Sequence, residues 1–431
     1  MKMPIRGADA GALLAVATAV LLCSLLLPAQ MLVDEYVHWP QVLRFARHEW
    51  TFDPWIATWP TMNFIVALPL SLFTSRELWE GRAVISAFAL VASIGYLKLV
   101  RELSDDGRDQ ELLALRTTQF MTTPVVLLFT CLVYTDIPAL AALIWAAYGV
   151  VSRRRIILVI AATATVAFRQ SHIVWFAALI AWYAYEVCKT RLLYESQPAL
   201  SEISRLRTFA AVIQALKSEW PVWIAAFVVV VVWLAVVRST GGVAHGAQTQ
   251  AGHYVHLGGV PNVCFAFVVA LIVFCPVLLA ALLSRSSQAS HIPPIAVLAT
   301  IALVAVVFQS ETPGNAHPAV QMFLRNRLLA NLHSPIGHTI MTAACAAGLF
   351  ACVMMPLTSR ARALRWPLLI FGALYLLPFE LVEQRYYLPM FALIWAMRAP
   401  ERPAIEWLQL AWGIFLSAIV LFQVVVNQRF L

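Results

Sequence analysis

Residues 10–33 read AGALLAVATAVLLCSLLLPAQMLV, and residues 34–40 follow as DEYVHWP. The first stretch carries no charge. At ~1.5 Å rise per residue, about 20 residues cover the ~30 Å hydrocarbon core, so this run is long enough to cross a bilayer. On leaving it the chain presents two adjacent carboxylates, Asp34 and Glu35. An apolar chain of this kind must satisfy its backbone internally, which makes the spans helical and the fold all-α.

The rest of the composition agrees. Of 431 residues, 61% are hydrophobic and 12% charged, against roughly 25% charged in soluble domains. A polytopic membrane protein with one integral domain over 1–431 is expected. The formal net charge of +8 could suggest nucleic acid. Lys and Arg gather in short loops between apolar runs, however, which membrane topology explains, and no nucleic-acid partner is expected. Six of the seven cysteines lie inside apolar runs and Cys188 at the end of one, so they read as packing residues. Lys2 and Arg6 before the first run resemble a signal peptide. The run is long and lacks a clear cleavage site, so a retained first span is expected.

Spans are placed near 10–33, 82–100, 117–134, 137–151, 156–168, 171–187, 220–237, 260–283, 291–308, 339–357, 366–379, 386–397 and 404–426, about 13 in all. The run 62–75 is short and interrupted by Pro69. Treated as interfacial or re-entrant, it makes 34–81 an external loop and puts the charges in order. Lys98, Arg101, Arg153, Arg154, Arg155, Arg285, Arg360, Arg362, Arg365, Arg398 and Arg402 then share the cytoplasmic side. The opposite side collects Asp34 and Glu35, Tyr134 to Asp136, Phe168 to Gln170, the loop 239–259, the loop 309–338 and the segment 380–387. Polar residues far apart in sequence meet on one face, the pattern of a composite site.

Each constellation has two readings. Asp34 and Glu35 either mark the end of a span or supply a general base, since partial burial raises a carboxylate pKa. His38 follows them, then Trp50, Phe52, Trp55 and Trp59, which suit a membrane interface or a sugar ring. Asp136 before Pro138 is a helix cap, a functional acid, or both. Arg169, Gln170 and His172 break two apolar stretches, as a turn or as a phosphate grip. Arg325, beside His317, Asn326 and Arg327, lies where the positive-inside rule does not place a cation, which favours anion binding. Glu383 and Arg385 could pair structurally, or set Arg385 over a phosphate beside Tyr386. There is no P-loop, no G-x-G-x-x-G after a strand and no H-E-x-x-H. Neither a cofactor nor a metal is expected.

The order Asp34-Glu35-x-x-His38-x-Pro40-Gln41, Phe52-Asp53-Pro54 with Thr58 and Pro60, Tyr134-Thr135-Asp136, Phe168-Arg169-Gln170-x-x-Ile173-Val174-Trp175, His317-Pro318 and Glu383-x-Arg385-Tyr386-Tyr387 resembles the dolichyl-phosphate-glucose alpha-1,2-glucosyltransferases, over nearly the whole chain. The Asp-Glu element is shared more widely among GT-C membrane glycosyltransferases. Two features differ. Residues 241–245 read GGVAH where an acidic Gly-Asp element is expected, and no Asn-x-Ser/Thr sequon occurs. The second, with the compact length, admits a bacterial member using another polyprenyl carrier.

The resemblance implies a GT-C-type bundle, a polyprenyl- or dolichyl-phosphate-glucose donor, a lipid-linked glycan acceptor and an inverting, metal-independent transfer. It implies Asp34 as base with Glu35 in support, or with Glu35 binding the acceptor. Arg169, Arg325 and Arg385 become candidates for the lipid phosphate. His38, Asp136, Gln170, His172, His256, Glu383 and Tyr386 become candidates for sugar or acceptor. The site would face the endoplasmic reticulum lumen in a eukaryote and the periplasm in a bacterium. A transporter of lipids or solutes, and a GT-C enzyme for another sugar, are the competing readings. A transporter is expected to hold its charged groups near the midplane.

Overall fold

The structure, a computed structural model, describes residues 7–72, 76–104, 110–195, 212–240, 242, 259–284, 323, 326, 329, 334–379, 382–427 and 429. Apart from turns and connecting segments the described residues are helical, with bridge positions at Leu357, which pairs with Arg398, and at Phe323. In chain order the helices are α1 (Gly7–Leu26), α2 (Glu35–Ala46), α3 (Thr61–Leu70), α4 (Leu78–Leu103), α5 (Gln110–Met121), α6 (Pro124–Leu127), α7 (Asp136–Val151) and α8 (Arg155–Phe168). They continue as α9 (Ile173–Glu195), α10 (Trp220–Thr240), α11 (Val260–Val273), α12 (Cys275–Ser284), α13 (Pro335–Met354), α14 (Arg365–Leu376), α15 (Leu388–Met397) and α16 (Pro403–Asn427).

The outer helices expose leucine and valine instead of charge. Leu14 and Leu25 of α1 are 68% and 71% exposed, and Phe227 of α10 is 70% exposed. In water such a surface would aggregate, whereas in lipid it is the matching solvent. The inner helices are apolar for a different reason. Nearly every residue of α7 is buried, because α7 packs between α4 and α8. Gly81 lets α4 come close to α2, since a Cβ there would meet the Trp39 ring at 2.5 Å.

Six helical stretches are long and apolar enough to cross a bilayer, and up to eight if each of two broken pairs counts as one span. The pairs are Glu111–Met121 with Pro124–Cys131, bent by 60°, and Val260–Val273 with Cys275–Leu283, bent by 90°. The expected thirteen are not reached among the described residues. Hydropathy rises equally for a helix facing lipid and one enclosed by other helices, so hydropathy alone does not tell whether the runs at 137–151, 156–168, 366–379 and 386–397 cross. Their helices, α7, α8, α14 and α15, have only 16, 14, 12 and 10 residues. The run 291–308 lies outside the described residues.

Ion pairs tie the helix ends into two groups. At one end Asp9 of α1 pairs with Arg101 of α4, and Arg360 bonds the Glu102 carbonyl at 2.6 Å. There too the fully buried Arg398 pairs with Glu406 at 2.5 Å, and Arg116 donates to the carbonyls of Trp395, Ala396 and Arg398. At the other end Arg82, near the start of α4, donates to the carbonyls of Pro28 and Gln30 just past α1. Helices α1 and α4 are thus antiparallel neighbours, and the chain between them leaves and returns at one end. Helix α3 lies in that excursion. Its 10 residues reach only ~15 Å, about half a hydrocarbon core.

Candidate active site

The site begins at a strained turn. Val33 has φ 48°, a left-handed conformation that a β-branched residue adopts at a cost of roughly 1–3 kcal/mol. The turn ends the exit from α1 and starts α2 two residues later. Asp34 is the N-cap of α2, and Glu35 its first residue, where the helix dipole favours an acid. The Asp34 backbone N–H donates to the Tyr134 hydroxyl at 2.8 Å, and that hydroxyl in turn donates to the Leu32 carbonyl at 3.4 Å.

The two neighbouring acids then part company. Glu35 is fully buried and both its oxygens are held. Arg82 donates to it from Nε at 3.0 Å and from Nη2 at 2.5 Å, and the backbone N–H groups of Leu32 and Val133 donate at 2.9 and 3.0 Å. Asp34 turns the other way. Its carboxylate pairs with Arg385 and keeps 33% of its side chain exposed.

Arg385 is the hub. Its Nη1 pairs with Asp34 and lies 4.0 Å from Asp136 Oδ2, while its Nε pairs with Glu383. Arg169 donates to Asp136 Oδ1. Both guanidiniums lie over the Tyr386 ring, at 5.0 Å for Arg169 and 5.7 Å for Arg385, and Arg385 also lies 5.7 Å over Tyr134. Three carboxylates and two guanidiniums interlock, a formal charge of minus one. Asp136 and Glu383 are sealed at 3% and 7% side-chain exposure, so Asp34 is the acid of this network that meets solvent. Burial alone would lower the Arg385 pKa, but Asp34 and Glu383 outweigh it and hold the group well above its ordinary value. Arg385 is a permanent cation.

Asp34, Asp136, Arg169, Glu383, Arg385 and Tyr386 therefore meet in one cluster. His38, Gln170 and His172 flank it. Asn63 donates to the His38 carbonyl at 3.0 Å and lies 3.4 Å from its Nδ1. Gln170 clamps the loop before α3, donating to the Ala57 carbonyl at 2.5 Å and accepting from the Trp59 N–H at 3.2 Å. His172 Nδ1 is 3.1 Å from Thr165 Oγ1. Arg325 and His256 lie outside the described residues.

Residues 28–397 match the model of the DIE2/ALG10 family. The chain belongs to that family. It is a dolichyl-phosphate-glucose-dependent alpha-1,2-glucosyltransferase acting on the lipid-linked oligosaccharide. No curated protein and no solved structure matches it significantly.

In this DIE2/ALG10 chain the roles of three residues of the site do not follow from a motif. Arg82 is hidden as the first residue of an apolar run. Its signal is a cation on the side where the positive-inside rule expects none. Tyr134 belongs to a recognised motif, yet its use as a brace for the Asp34 turn follows only from the fold. Gln41 is the third. It bonds the Thr51 carbonyl and the Asp53 N–H, each at 2.8 Å, and so folds the 51–53 loop back onto α2.

His38 gives this region a pH dependence. Burial pushes its imidazole below the ordinary 6.5, and the opposing pull of Asp34 does not offset it. Below the unfolded value the unfolded chain binds a proton that the folded chain refuses. Stability is therefore full above that value and falls as pH drops beneath it. The thermal midpoint of the detergent-solubilised protein should decline from about pH 6.5 downward, and His38→Gln should flatten that decline. Equal slopes for both proteins would contradict the assignment.

Proposed function

We propose that Asp34 is the general base of an inverting, in-line glucosyl transfer and that Arg385 and Arg169 receive the leaving phosphate. The observation that carries this is the Asp34–Arg385 pair, which joins the solvent-accessible acid of the network to its central cation. The acceptor hydroxyl oxygen attacks C1 of a beta-linked glucose and forms the alpha linkage. The bond from C1 to the phosphate oxygen breaks, and polyprenyl phosphate leaves with the electron pair. Asp34 takes the hydroxyl proton.

The charges change in concert. A phosphodiester with one negative charge becomes a monoester with two. Protonated Asp34 is neutral and no longer holds Arg385, whose charge is then available to the departing group. Fixed positive partners at a site of developing charge are a large source of rate enhancement. Arg325 is a further candidate for the phosphate. Asp136 and Glu383 keep the arginines in place, and His38, Gln170, His172, His256 and Tyr386 surround the sugars. Glu35 supports Asp34 through the scaffold. Acceptor binding by Glu35 is disfavoured because its oxygens are already occupied.

The architecture we propose around this centre is a single GT-C-type bundle of about 13 spans, with α7, α8, α14 and α15 as short crossings. The loop 34–81, with α2 and α3, lies in the interface on the lumenal or periplasmic face. Membrane lipids surround the bundle, and the carrier is dolichyl phosphate or another polyprenyl phosphate. The polar groups of the site gather at one end of the bundle, which favours an interfacial enzyme over a transporter with charges at midplane.

The test is purified protein in proteoliposomes with polyprenyl-phosphate-glucose and a lipid-linked oligosaccharide. Mass spectrometry should find one added hexose, released by an alpha-specific glucosidase. Translocation of the donor without hexose transfer would defeat the proposal.

A further inference from the structure

Beside the charged cluster, three buried side chains hold hydrogen-bonding capacity that the protein leaves unused. Tyr375 of α14 is 2% exposed, and its hydroxyl makes no hydrogen bond. Ser171 comes near that hydroxyl without hydrogen-bond geometry. Gln384 is 3% exposed and leaves both its amide oxygen and its amide nitrogen unpartnered. Among the described buried carboxamides no other leaves both. Trp175 Nε1 is unpartnered as well. Buried polar groups in folded proteins are almost always bonded, so a group of exceptions calls for a reason.

Their placement supplies one. Tyr375 meets His172 edge-on at 5.5 Å, Trp175 at 5.8 Å and Phe379 at 5.3 Å. Phe379 stacks on Tyr386 at 4.2 Å, and Tyr386 carries Arg169 and Arg385 over its ring. A continuous row of rings therefore runs from Trp175 to the charged cluster. Tyr375 is within electrostatic reach of Arg169, Asp136 and Arg385. Gln384 sits in the turn Gln384–Tyr387, between Glu383 and Arg385.

The chemistry of the unused groups selects the ligand. The indole N–H and the amide nitrogen donate, the amide oxygen accepts, and the phenol does either. A phosphate offers acceptors only and would leave the amide oxygen empty. A sugar hydroxyl both donates and accepts. The adjoining aromatic rings suit the apolar C–H face of a pyranose. We infer that Tyr375 and Gln384, with Trp175 beside them, bind the hydroxyls of a hexose ring in the transfer site. This deepens the transferase reading above and rests on it.

The variants Tyr375→Phe and Gln384→Met remove these groups at nearly constant volume. Gln384 has no partner in the unliganded protein and Tyr375 only the poorly aligned Ser171 hydroxyl, so the thermal midpoint of the full chain should fall little. The transfer kcat/KM should drop about 5- to 30-fold for each, the usual worth of a hydrogen bond to a substrate hydroxyl. Monodeoxy versions of polyprenyl-phosphate-glucose, and acceptors with a monodeoxy terminal sugar, identify the contact. One analogue should slow the wild type yet cost Tyr375→Phe nothing further. If it is a donor, the hexose is the transferred glucose; if an acceptor, it is the terminal acceptor sugar.

Wild-type kcat/KM in both variants, as expected if only water fills the space, would overturn the inference. So would a midpoint that falls in step with activity. A second readout separates this failure from failure of the transferase reading. Either polyprenyl-phosphate-glucose, against polyprenyl phosphate, or the lipid-linked acceptor, against its monodeoxy analogue, should raise the wild-type midpoint more, and Tyr375→Phe should shrink that difference. This comparison stands even if no transfer is seen.

Discussion

The purified Asp34→Asn variant should fold like the wild type and lose glucosyl transfer by at least the ~10²–10⁴-fold that general base catalysis supplies. The substitution keeps size and shape and removes only the ability to take a proton at neutral pH. It also weakens the pair with Arg385. That pair is one-third open to solvent on the Asp34 side and Arg385 keeps Glu383 as a partner, so the cost falls below that of breaking a sealed pair. Little unfolding is therefore expected, and thermal midpoints would confirm that the loss is chemical. Donor binding should persist, because Arg385 retains Glu383 and Arg169 retains Asp136. Asp136→Asn is the informative contrast. It strips a buried guanidinium of its partner and should cost stability as well as rate. Turnover by Asp34→Asn within threefold of wild type would remove Asp34 from the role of base.

The sequence carries the membrane class and the list of polar positions, because both rest on local signals. An uncharged run of sufficient length can only be a span or a buried helix, and an acid or arginine at its end stands out. Glu383 and Arg385, two residues apart, can be suspected of pairing from their spacing alone. That Arg385 also reaches Asp34 cannot, since the partners are separated by 351 positions and joined only by the packing of α4, α7 and α15. The same limit explains the span count. Periodicity shows that α7 is apolar, but not that its neighbours are α4 and α8 instead of lipid. The division of labour between Asp34 and Glu35 is a matter of helix phase. Adjacent helical positions point ~100° apart. With α2 beginning at Glu35, one acid faces Arg82 of α4 and the other faces Arg385.

That phase leads to the second large effect. Glu35→Gln and Arg82→Met should each destabilise the protein by about 3–5 kcal/mol, the usual cost of removing one partner from a buried ion pair. Arg82 is 5% exposed and Glu35 not at all. Loss of Glu35 leaves a guanidinium with only the Pro28 and Gln30 carbonyls, and loss of Arg82 leaves a sealed carboxylate with two backbone donors. Replacing both with apolar residues, as in Glu35→Leu with Arg82→Met, removes the uncompensated charge. The double variant should therefore be more stable than the sum of the single losses implies. Chemical denaturation in detergent would measure the cycle. Activity adds the distinction that matters. If Glu35 acts only through the fold, transfer per folded molecule in Glu35→Gln should stay within about tenfold of wild type, far above Asp34→Asn. Equal, complete losses in two well-folded variants would instead make the adjacent acids a catalytic pair, and the burial of Glu35 would have to open during turnover.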